Sequence, residues 1–424
     1  MKVNSALITS YHSSLNCGDR ALLEMNIRHL KEAFDNPKIS VAVNWPEEAY
    51  FQYPAEFTVV QSAWHAIGIR RERSFLQQLT NTILGMGYAR LYRRGLKRGI
   101  PQEWRDVFRA YETADVVASV SSTLFYSTGR YGWPFPVKTW SVGLAKFFGK
   151  PFMVMPQSIG PLRWNWERKL LRNAYQEAFL ILLRDAESLR LAKSIGLPDV
   201  KVHFSPDPTF EYLPVTPSEA LSVLTKYGYS STDTSIGLTL IPWQGRWVNQ
   251  AIMDRYYQAL SNFLVEFCSQ KTRRVFIFNQ VTGPTSLDDD RVAASLLLKK
   301  IASPTNQIVH VNEVLPPAML KACYGQMKLV IATRMHSGIF SLGMGVPVLY
   351  IGYLQKTRGL MEWLGLQDWV LELDQVNQSN ISDNAYKALQ ENEERRQIIA
   401  QKLPAIKEEI AGTPNLIIQS YERI

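Results

Sequence analysis

The stretch LVIATRMHSGIFSLGMGVPVLYI, residues 329–351, contains the pattern that decides the fold of this chain of 424 residues. The apolar run Leu329–Ala332 predicts a strand, Ser337–Leu342 a helix, and Val346–Ile351 a second strand. A strand, a helix and a strand in this order form the repeating unit of parallel α/β sheets. Although Ser337–Leu354 carries no charge, its glycines and its proline indicate buried core and not a membrane span.

The same alternation extends outward in two sets. The first set of strands is expected at Ala6–Ser10, Ser40–Val43, Phe57–Val60, Asp115–Val120, Phe152–Met155, Leu180–Leu183 and Val200–Phe204. The second set is expected at Ser235–Ile241, Val275–Asn279, Ile308–Val311, Leu329–Ala332, Val346–Ile351 and Trp369–Leu373. A proline-rich break at Ser205–Thr209 separates them.

We therefore expect an α/β protein with two doubly wound, Rossmann-like domains facing a cleft. Residues 1–210 form the first domain, with a basic helical insertion near 70–109, and residues 211–424 form the second, with terminal helices. Because ligands of such sheets bind beyond the carboxyl ends of the strands, the loops after strands are where functional residues are expected.

Composition excludes several classes of protein. With 46% hydrophobic and 20% charged residues, the chain is neither disordered nor a disulfide-stapled miniprotein. Its three cysteines lie far apart, which favours a reducing, cytoplasmic compartment and argues against a structural zinc site. The N-terminus lacks the apolar run of a secretory signal, so none is predicted.

Most of the net charge of +9 lies in one segment. Residues 70–109 contain ten basic and three acidic side chains, an excess of seven. Apolar residues recur there at helical spacing, at Leu84, Tyr88, Leu91, Tyr92 and Leu96, with basic residues largely on the other side. This pattern predicts a basic amphipathic helix that either docks peripherally on anionic membrane or packs its apolar stripe on the domain. No nucleic-acid-binding motif accompanies the charge, so nucleic acid is not expected as a partner.

Common catalytic and nucleotide-binding signatures are missing: there is no Walker A loop, no GxGxxG after a strand, no HExxH and no GxSxG elbow. The run Asp288–Asp290 could chelate a metal ion, but acidic residues also favour a helix start, which is expected after Asp290. Capping is the preferred interpretation, and no metal site is predicted.

Polar residues follow several predicted strands. In Asn16-Cys17-Gly18-Asp19, Gly18 suits a tight turn and Asp19 could either cap the next helix or act on an acceptor hydroxyl. In the loop after Phe152–Met155, Gln157 and Ser158 offer hydrogen bonds that a structural turn does not require.

Three cations follow later strands. The planar guanidinium of Arg184 either binds an anionic ligand or pairs with a neighbouring carboxylate such as Asp185. Arg334 and His336 flank a predicted helix N-terminus, a natural anion site, and Lys356 is expected to end the next strand at the same edge.

Taken in order, these motifs resemble the polysaccharide pyruvyl transferase family. The resemblance rests on Asn16-Cys17-Gly18-Asp19, Gln157-Ser158-Ile159-Gly160-Pro161, Arg184-Asp185, Asp207, Arg334-Met335-His336, Gly345-Val346-Pro347 and Lys356. One departure is that the family usually has a glycine cluster after the strand Asp115–Val120, where this chain has Ser121-Ser122-Thr123. Side chains at these positions would narrow the approach of the substrate.

The resemblance implies a fold similar to that of B-type glycosyltransferases. It also implies transfer of a pyruvyl group from phosphoenolpyruvate to a pair of hydroxyls on a polysaccharide or lipid-linked sugar, as a cyclic ketal, without a metal or other cofactor. Roles follow for the motif residues. Arg184, Arg334, Lys356 and Ser337 would bind the donor, His336 would be the general acid, Asp19 would orient the acceptor, and Asn16, Gly18, Gln157, Ser158 and Asp207 would line the site.

Two alternatives stay open at the level of sequence. A B-type glycosyltransferase could grip the diphosphate of a nucleotide sugar with Arg334 and Lys356. A non-catalytic protein that binds glycan or membrane would need none of the proposed chemistry.

Overall fold

The computed structural model describes residues 2–45, 57–68, 74–127, 132–133, 135–242, 248–301, 305–353 and 355–424. It divides into two compact units. Unit 1 comprises residues 1–14, 22–208 and 409–424, and unit 2 comprises residues 15–21 and 209–408. Two segments therefore differ from the predicted domains, since residues 15–21 belong to the second unit and residues 409–424 to the first.

Unit 1 contains a seven-stranded parallel sheet in the order β3-β2-β1-β4-β5-β6-β7. Its strands are β1 (Ser5–Tyr11), β2 (Lys38–Val43), β3 (Thr58–Gln61), β4 (Val116–Ser119), β5 (Phe152–Gln157), β6 (Leu180–Leu183) and β7 (Val202–Phe204). The helices of this half are α1 (Cys17–Ala33), α2 (Ala63–Ile67), α3 (Phe75–Arg93), α4 (Gln102–Thr113), α5 (Phe135–Phe147), α6 (Asn165–Tyr175) and α7 (Ala186–Ser194).

Unit 2 contains a six-stranded parallel sheet in the order β10-β9-β8-β11-β12-β13. Its strands are β8 (Thr234–Thr239), β9 (Arg273–Phe278), β10 (Ile308–Val311), β11 (Leu329–Ala332), β12 (Val348–Gly352) and β13 (Val370–Glu372). Its helices are α8 (Pro217–Lys226), α9 (Gln250–Phe267), α10 (Asp290–Lys300), α11 (Pro317–Gly325), α12 (Met335–Gly343), α13 (Gln355–Trp363), α14 (Gln378–Gln390) and α15 (Asn392–Ala411). The last helix, α16 (Thr413–Tyr421), belongs to unit 1.

The core of unit 1 lies on both faces of its sheet, because successive strand residues point to opposite sides. Along β1, Leu7 joins the core on one face, while Ala6 and Ile8 join the core on the other. The second face also holds Ile417 of α16, and the ring of Tyr421 packs edge-on against Phe34 and Phe179. These contacts explain why residues 409–424 cluster with the first unit, and not with the second as predicted.

The predicted α/β class, with two doubly wound parallel sheets, is confirmed. Both strand orders place a switch in direction in the middle of the sheet, between β1 and β4 in unit 1 and between β8 and β11 in unit 2. The carboxyl ends of strands at such a switch are where these folds bind ligands. Among the described residues, no helix is both long and apolar enough to cross a membrane.

The basic segment is helical, but the alternative in which the whole apolar stripe packs on the domain is wrong. Helix α3 ends at Arg93, before Leu96, and both Leu84 and Leu91 are exposed whereas Tyr92 is buried. Thr82, Gly85 and Ala89 also face the domain, and at Gly85 the ring of Trp104 occupies the space that a longer side chain would need. Residues 70–73 of the predicted segment lie outside the described residues.

Candidate active site

The turn after β11 in unit 2 fixes the orientation of Arg334. The Asp290 Oδ1 atom accepts hydrogen bonds from Arg334 Nε at 3.0 Å and from Arg334 Nη2 at 2.5 Å. The other oxygen, Oδ2, accepts the backbone N–H groups of Gln280 and Val281 at 2.9 and 3.0 Å. Arg334 is thus tied to the end of β9, while its own position as the N-cap residue of α12 comes from β11.

Asp290 is fully buried, so its charge depends on these partners. Burial raises the pKa of the Asp290 carboxyl, and Arg334 and the two backbone N–H donors act in the opposite direction. The side chain of Arg334 keeps 13% of its surface exposed.

Sequence reasoning missed the role of Asp290, because it treated the whole run 288–290 as capping residues. Asp289 does cap α10, accepting the backbone N–H of Arg291 at 3.0 Å, whereas Asp290 turns inward to Arg334. The sequence signal was a second carboxylate directly after a residue that was already sufficient as a cap. Its partner lies forty-four residues away, a separation that no local pattern reveals.

The residues that follow Arg334 form an N-terminal helix turn that no side chain of the described residues caps. Ser337 is buried, and its hydroxyl donates to the Arg334 carbonyl at 2.6 Å and lies 2.8 Å from Thr239 Oγ1 at the end of β8. The Ser337 side chain therefore closes the turn, so that an anion would meet the backbone N–H groups of α12 and not this hydroxyl.

The segment Leu15–Ala21 brings the first sequence motif to the same place. Asn16 forms an antiparallel bridge with Val281, and the Cys17 N–H donates to the Gln280 carbonyl at 2.9 Å. Asn16 Oδ1 also accepts the N–H groups of Gly18 and Asp19, so Asn16 is the residue that caps α1. Asp19, proposed above as a cap, is instead a half-buried residue of the first helical turn.

Gly18 and His336 are in direct contact. A Cβ atom on Gly18 would lie 2.8 Å from the Cβ of His336 and still nearer to its ring atoms Nδ1 and Cγ. Real Cβ atoms keep at least 3.0 Å from such neighbours, so only glycine allows the imidazole to lie against this turn. His336 is half-buried and its Nε2 atom is buried. The centroid of its ring lies 6.5 Å from the centroid of the Phe340 ring.

Lys356 does not end a strand, as predicted, because β12 already ends at Gly352. Lys356 instead lies half-buried in the first turn of α13, the helix that follows this strand. Since β12 pairs with β11 in parallel, both α12 and α13 begin at the same edge of the sheet. The expected placement of Lys356 near that edge is therefore retained, although on a helix.

The remaining predicted residues form a separate polar network in unit 1. Arg184 is buried and donates to Ser158 Oγ at 3.1 Å, to Thr123 Oγ1 at 3.0 Å and to the carboxylate of Asp207. Its ion-pair partner is Asp207 and not Asp185, which caps α7. The geometry gives Arg184 the intramolecular pairing that was the alternative to donor binding.

Gln157 belongs to the same buried network. Its amide nitrogen donates to Ser119 Oγ at 3.3 Å, and its carbonyl oxygen accepts the hydroxyl of Tyr175 at 3.0 Å. These polar residues at the ends of β4, β5 and β6 brace one another, so they fix the loops of unit 1.

The departure from the family pattern, residues 121–123, lies in this network too. Ser121 exchanges two hydrogen bonds with Asn26, at 2.7 and 2.8 Å, and Thr123 accepts from Arg184. The Ser122 hydroxyl is buried without a hydrogen-bond partner among the described residues. The side chains of Ser121 and Thr123 therefore form hydrogen bonds within unit 1.

The chain is similar to a known biosynthesis protein and to several solved structures. The amylovoran biosynthesis protein AmsJ of Erwinia amylovora is 22% identical over 307 residues, covering 70% of each chain. The crystal structure of HepE from Anabaena in complex with UDP-glucose superposes with a TM-score of 0.57 at 12% identity, covering 99% of this chain and 100% of HepE.

A glycosyltransferase from Rickettsia africae superposes with a TM-score of 0.56 at 12% identity and covers 99% of both chains. These likenesses confirm a fold similar to that of B-type glycosyltransferases.

Residues 16–355, most of the chain, match the sequence pattern of the polysaccharide pyruvyl transferases. The span begins at Asn16 and includes Arg334 and His336, the residues that the structure brings together in unit 2. The chain belongs to the polysaccharide pyruvyl transferase family of enzymes.

Proposed function

We propose that this protein transfers the pyruvyl group of phosphoenolpyruvate to two hydroxyls of a sugar in a polysaccharide or its lipid-linked precursor. The observation that carries the proposal is the packing of His336 on Gly18, with Arg334 held beside them by Asp290. It joins an acid, a fixed cation and a helix N-terminus in one unit, as a donor that carries both a carboxylate and a phosphate requires.

The cations bind the donor in this proposal. Arg334 is oriented before any ligand arrives, so little conformational entropy is lost when it meets the carboxylate or phosphate. Lys356 supplies a second charge from the first turn of α13. Arg184 acts indirectly by fixing the loops of unit 1, since its guanidinium donates to Ser158, Thr123 and Asp207.

The chemistry begins with proton transfer. His336 protonates the methylene carbon of the enol, which becomes a methyl group and leaves an oxocarbenium ion at the neighbouring carbon. The first sugar hydroxyl, oriented by Asp19, attacks that carbon and loses its proton. The C–O bond to phosphate then breaks, and the second hydroxyl closes the ketal ring. Of the two hydroxyl protons lost, one balances the proton in the methyl group and the other leaves on hydrogen phosphate.

The acceptor and the donor together indicate where the proposed reaction takes place. A lipid-linked precursor would hold the sugar beside a membrane, and phosphoenolpyruvate is a cytoplasmic metabolite. We therefore place the reaction on the cytoplasmic side.

The proposal is tested by incubating the protein with phosphoenolpyruvate and a panel of sugars, while phosphate release and product mass are measured. A His336→Gln variant should keep donor binding and lose turnover by about 10²- to 10⁴-fold, the usual effect of losing a general acid. His203→Gln, a change on β7 in the other unit, is the matched control and should leave turnover unchanged. Full turnover in His336→Gln would exclude the general-acid role.

The main alternative is a B-type glycosyltransferase, because HepE, which has the same fold, is in complex with UDP-glucose. Thermal stabilisation separates the candidates. Stabilisation by phosphoenolpyruvate but not by nucleotide sugars supports pyruvyl transfer, and the reverse result supports glycosyl transfer. Stabilisation by neither ligand would favour a glycan- or membrane-binding protein.

A further inference from the structure

Helix α3 (Phe75–Arg93) attaches to unit 1 through three small residues and one tyrosine near its end. Its buried residues include Gly85, Ala89 and Tyr92. A Cβ atom on Gly85 would lie 2.5 Å from Trp104 Cη2 and 2.9 Å from Trp140 Cη2, so the helix backbone lies directly on these two rings. Such close packing leaves no room on this side for the longer apolar residues of the helix.

The larger apolar side chains of α3 point to solvent. Leu76 is 70% exposed and Ile83 61% exposed, and Phe75, Leu79, Leu84 and Leu91 are exposed as well. A surface helix normally shows the opposite arrangement, with large apolar residues inward and polar residues outward. Of the thirteen large hydrophobic side chains exposed among the described residues, seven lie between residues 75 and 96.

Positive charge borders this apolar face at one end. Residues 74–100 contain five basic side chains and no acidic one, and all five lie between residues 90 and 98. Arg93 donates to the Phe147 carbonyl at 2.9 Å and Lys97 pairs with Glu112 at 3.5 Å. Arg94 and Arg98 are exposed, with no ion pair to any residue that the structure describes.

The indole ring of Trp133 borders the other end of the helix. Trp133 packs edge-on against Phe75, with ring centroids 5.3 Å apart, and its Nε1 donates to Gln78 at 2.7 Å. Tryptophan is enriched where proteins meet the interface between water and lipid, because its ring is apolar and its N–H is polar.

We infer that the outward face of α3, with the basic residues 90–98, binds the surface of an anionic lipid bilayer, the helix lying parallel to it. Exposed apolar side chains enter the boundary between headgroups and acyl chains, and neighbouring arginines meet the lipid phosphates. Charge favours anionic lipid over a second copy of this chain, because residues 74–100 carry five basic side chains and no acidic one that a second copy could offer in return. The inference rests on unit 1 alone and stands whether or not the proposed function holds.

Co-sedimentation with vesicles tests this inference. The full chain is mixed with vesicles of phosphatidylcholine, or of phosphatidylcholine with phosphatidylglycerol, and binding is measured at low and high salt. We expect binding only to the anionic vesicles. Binding should be weaker at high salt, because salt screens the electrostatic attraction between the arginines and the lipid phosphates.

Two double variants separate the apolar and the charged contributions. Arg94→Gln with Arg98→Gln should weaken binding by about 30-fold, from roughly fivefold for each basic side chain at the surface. Leu76→Gln with Ile83→Gln should weaken it by about tenfold or more. All four side chains are exposed, so thermal unfolding should stay unchanged. Lys193→Gln and Val200→Gln, at exposed positions elsewhere in unit 1, are matched controls and should bind like the original chain.

Three results would overturn the inference. The first is equal binding to neutral and anionic vesicles, or to neither. The second is unchanged binding in both double variants. The third is a concentration-dependent dimer, seen by sedimentation velocity without lipid, that the Leu76→Gln and Ile83→Gln changes abolish, since this assigns the face to a second copy of the chain.

Discussion

Replacing Gly18 with alanine should displace His336 and show that the two motifs form one site. The new Cβ would lie 2.8 Å from the His336 Cβ and nearer to the ring, whereas ordinary van der Waals contact begins at 3.4 Å. The imidazole must therefore retreat by about 1 Å. Overpacking of this kind destabilises a protein by about 1–3 kcal/mol. A misplacement of about 1 Å lowers a catalytic rate by about 100-fold.

A double-mutant cycle isolates the contact. In a His336→Gly background both the ring and its Cβ are gone, so Gly18→Ala should no longer destabilise and should gain a few tenths of a kcal/mol from helix propensity. The coupling free energy between the two positions should be about 2 kcal/mol, measured by urea unfolding of the four proteins. Gly143→Ala in α5 is the matched control, because nothing lies within 4 Å of its Cβ position, and it should stabilise by about 0.5–1 kcal/mol.

Additive changes in the free energy of unfolding, with no coupling between positions 18 and 336, would refute the close packing. Unchanged phosphate release by Gly18→Ala would refute the catalytic importance of the exact ring position. The two readouts are independent, so loss of coupling and loss of turnover cannot be mistaken for each other.

Two further predictions concern buried charge. Asp290→Asn should lower the free energy of unfolding by about 3 kcal/mol, because it leaves the buried Arg334 without its carboxylate partner. Asp289→Asn is the control: it keeps a capping side chain and should change the free energy of unfolding by less than about 0.5 kcal/mol. Both values are measured by urea unfolding. Burial lowers the pKa of His29 from 6.5 to about 4, so the unfolded chain takes up a proton in this window before the folded protein does. The free energy of unfolding should therefore fall by about 3 kcal/mol from pH 7 to pH 4. The variant His29→Gln should remove this contribution, whereas the control His203→Gln should keep it. If His29→Gln shows the same pH profile as the unchanged protein, the assignment to His29 is wrong.

Local pattern was enough to predict the strands and their order along the chain. The run Leu329–Ala332 is buried on both faces of its sheet, and such strands appear in sequence as continuous apolar segments. The turns were also predictable, because Arg334 and His336 stand between a strand and a helix in any α/β arrangement. What the sequence did not show is which distant segment meets each turn.

Gly18 illustrates that limit. Its position in a strand-to-helix turn suggested a need for an unusual backbone conformation, whereas the structure shows that it makes room for a ring 318 positions further along the chain. Asp290 was assigned to a helix cap for the same reason, since its partner is remote in sequence. In α3 the helical period was visible, but the sequence left open whether the apolar side chains pack on the domain, because the position of Trp104 decides which side packs.

The division of the chain into discontinuous units also bears on its synthesis. Residues 15–21 leave the ribosome early, yet their partners Gln280, Val281 and His336 belong to a unit made almost entirely after residue 208. The core of unit 1 is completed even later, because helix α16, which carries Ile417 and Tyr421, is translated last. A nascent chain therefore holds an unpaired motif at its start and an incomplete first core until its end. Neither half can be cut out as a contiguous fragment without removing part of the other unit or leaving its own unit incomplete.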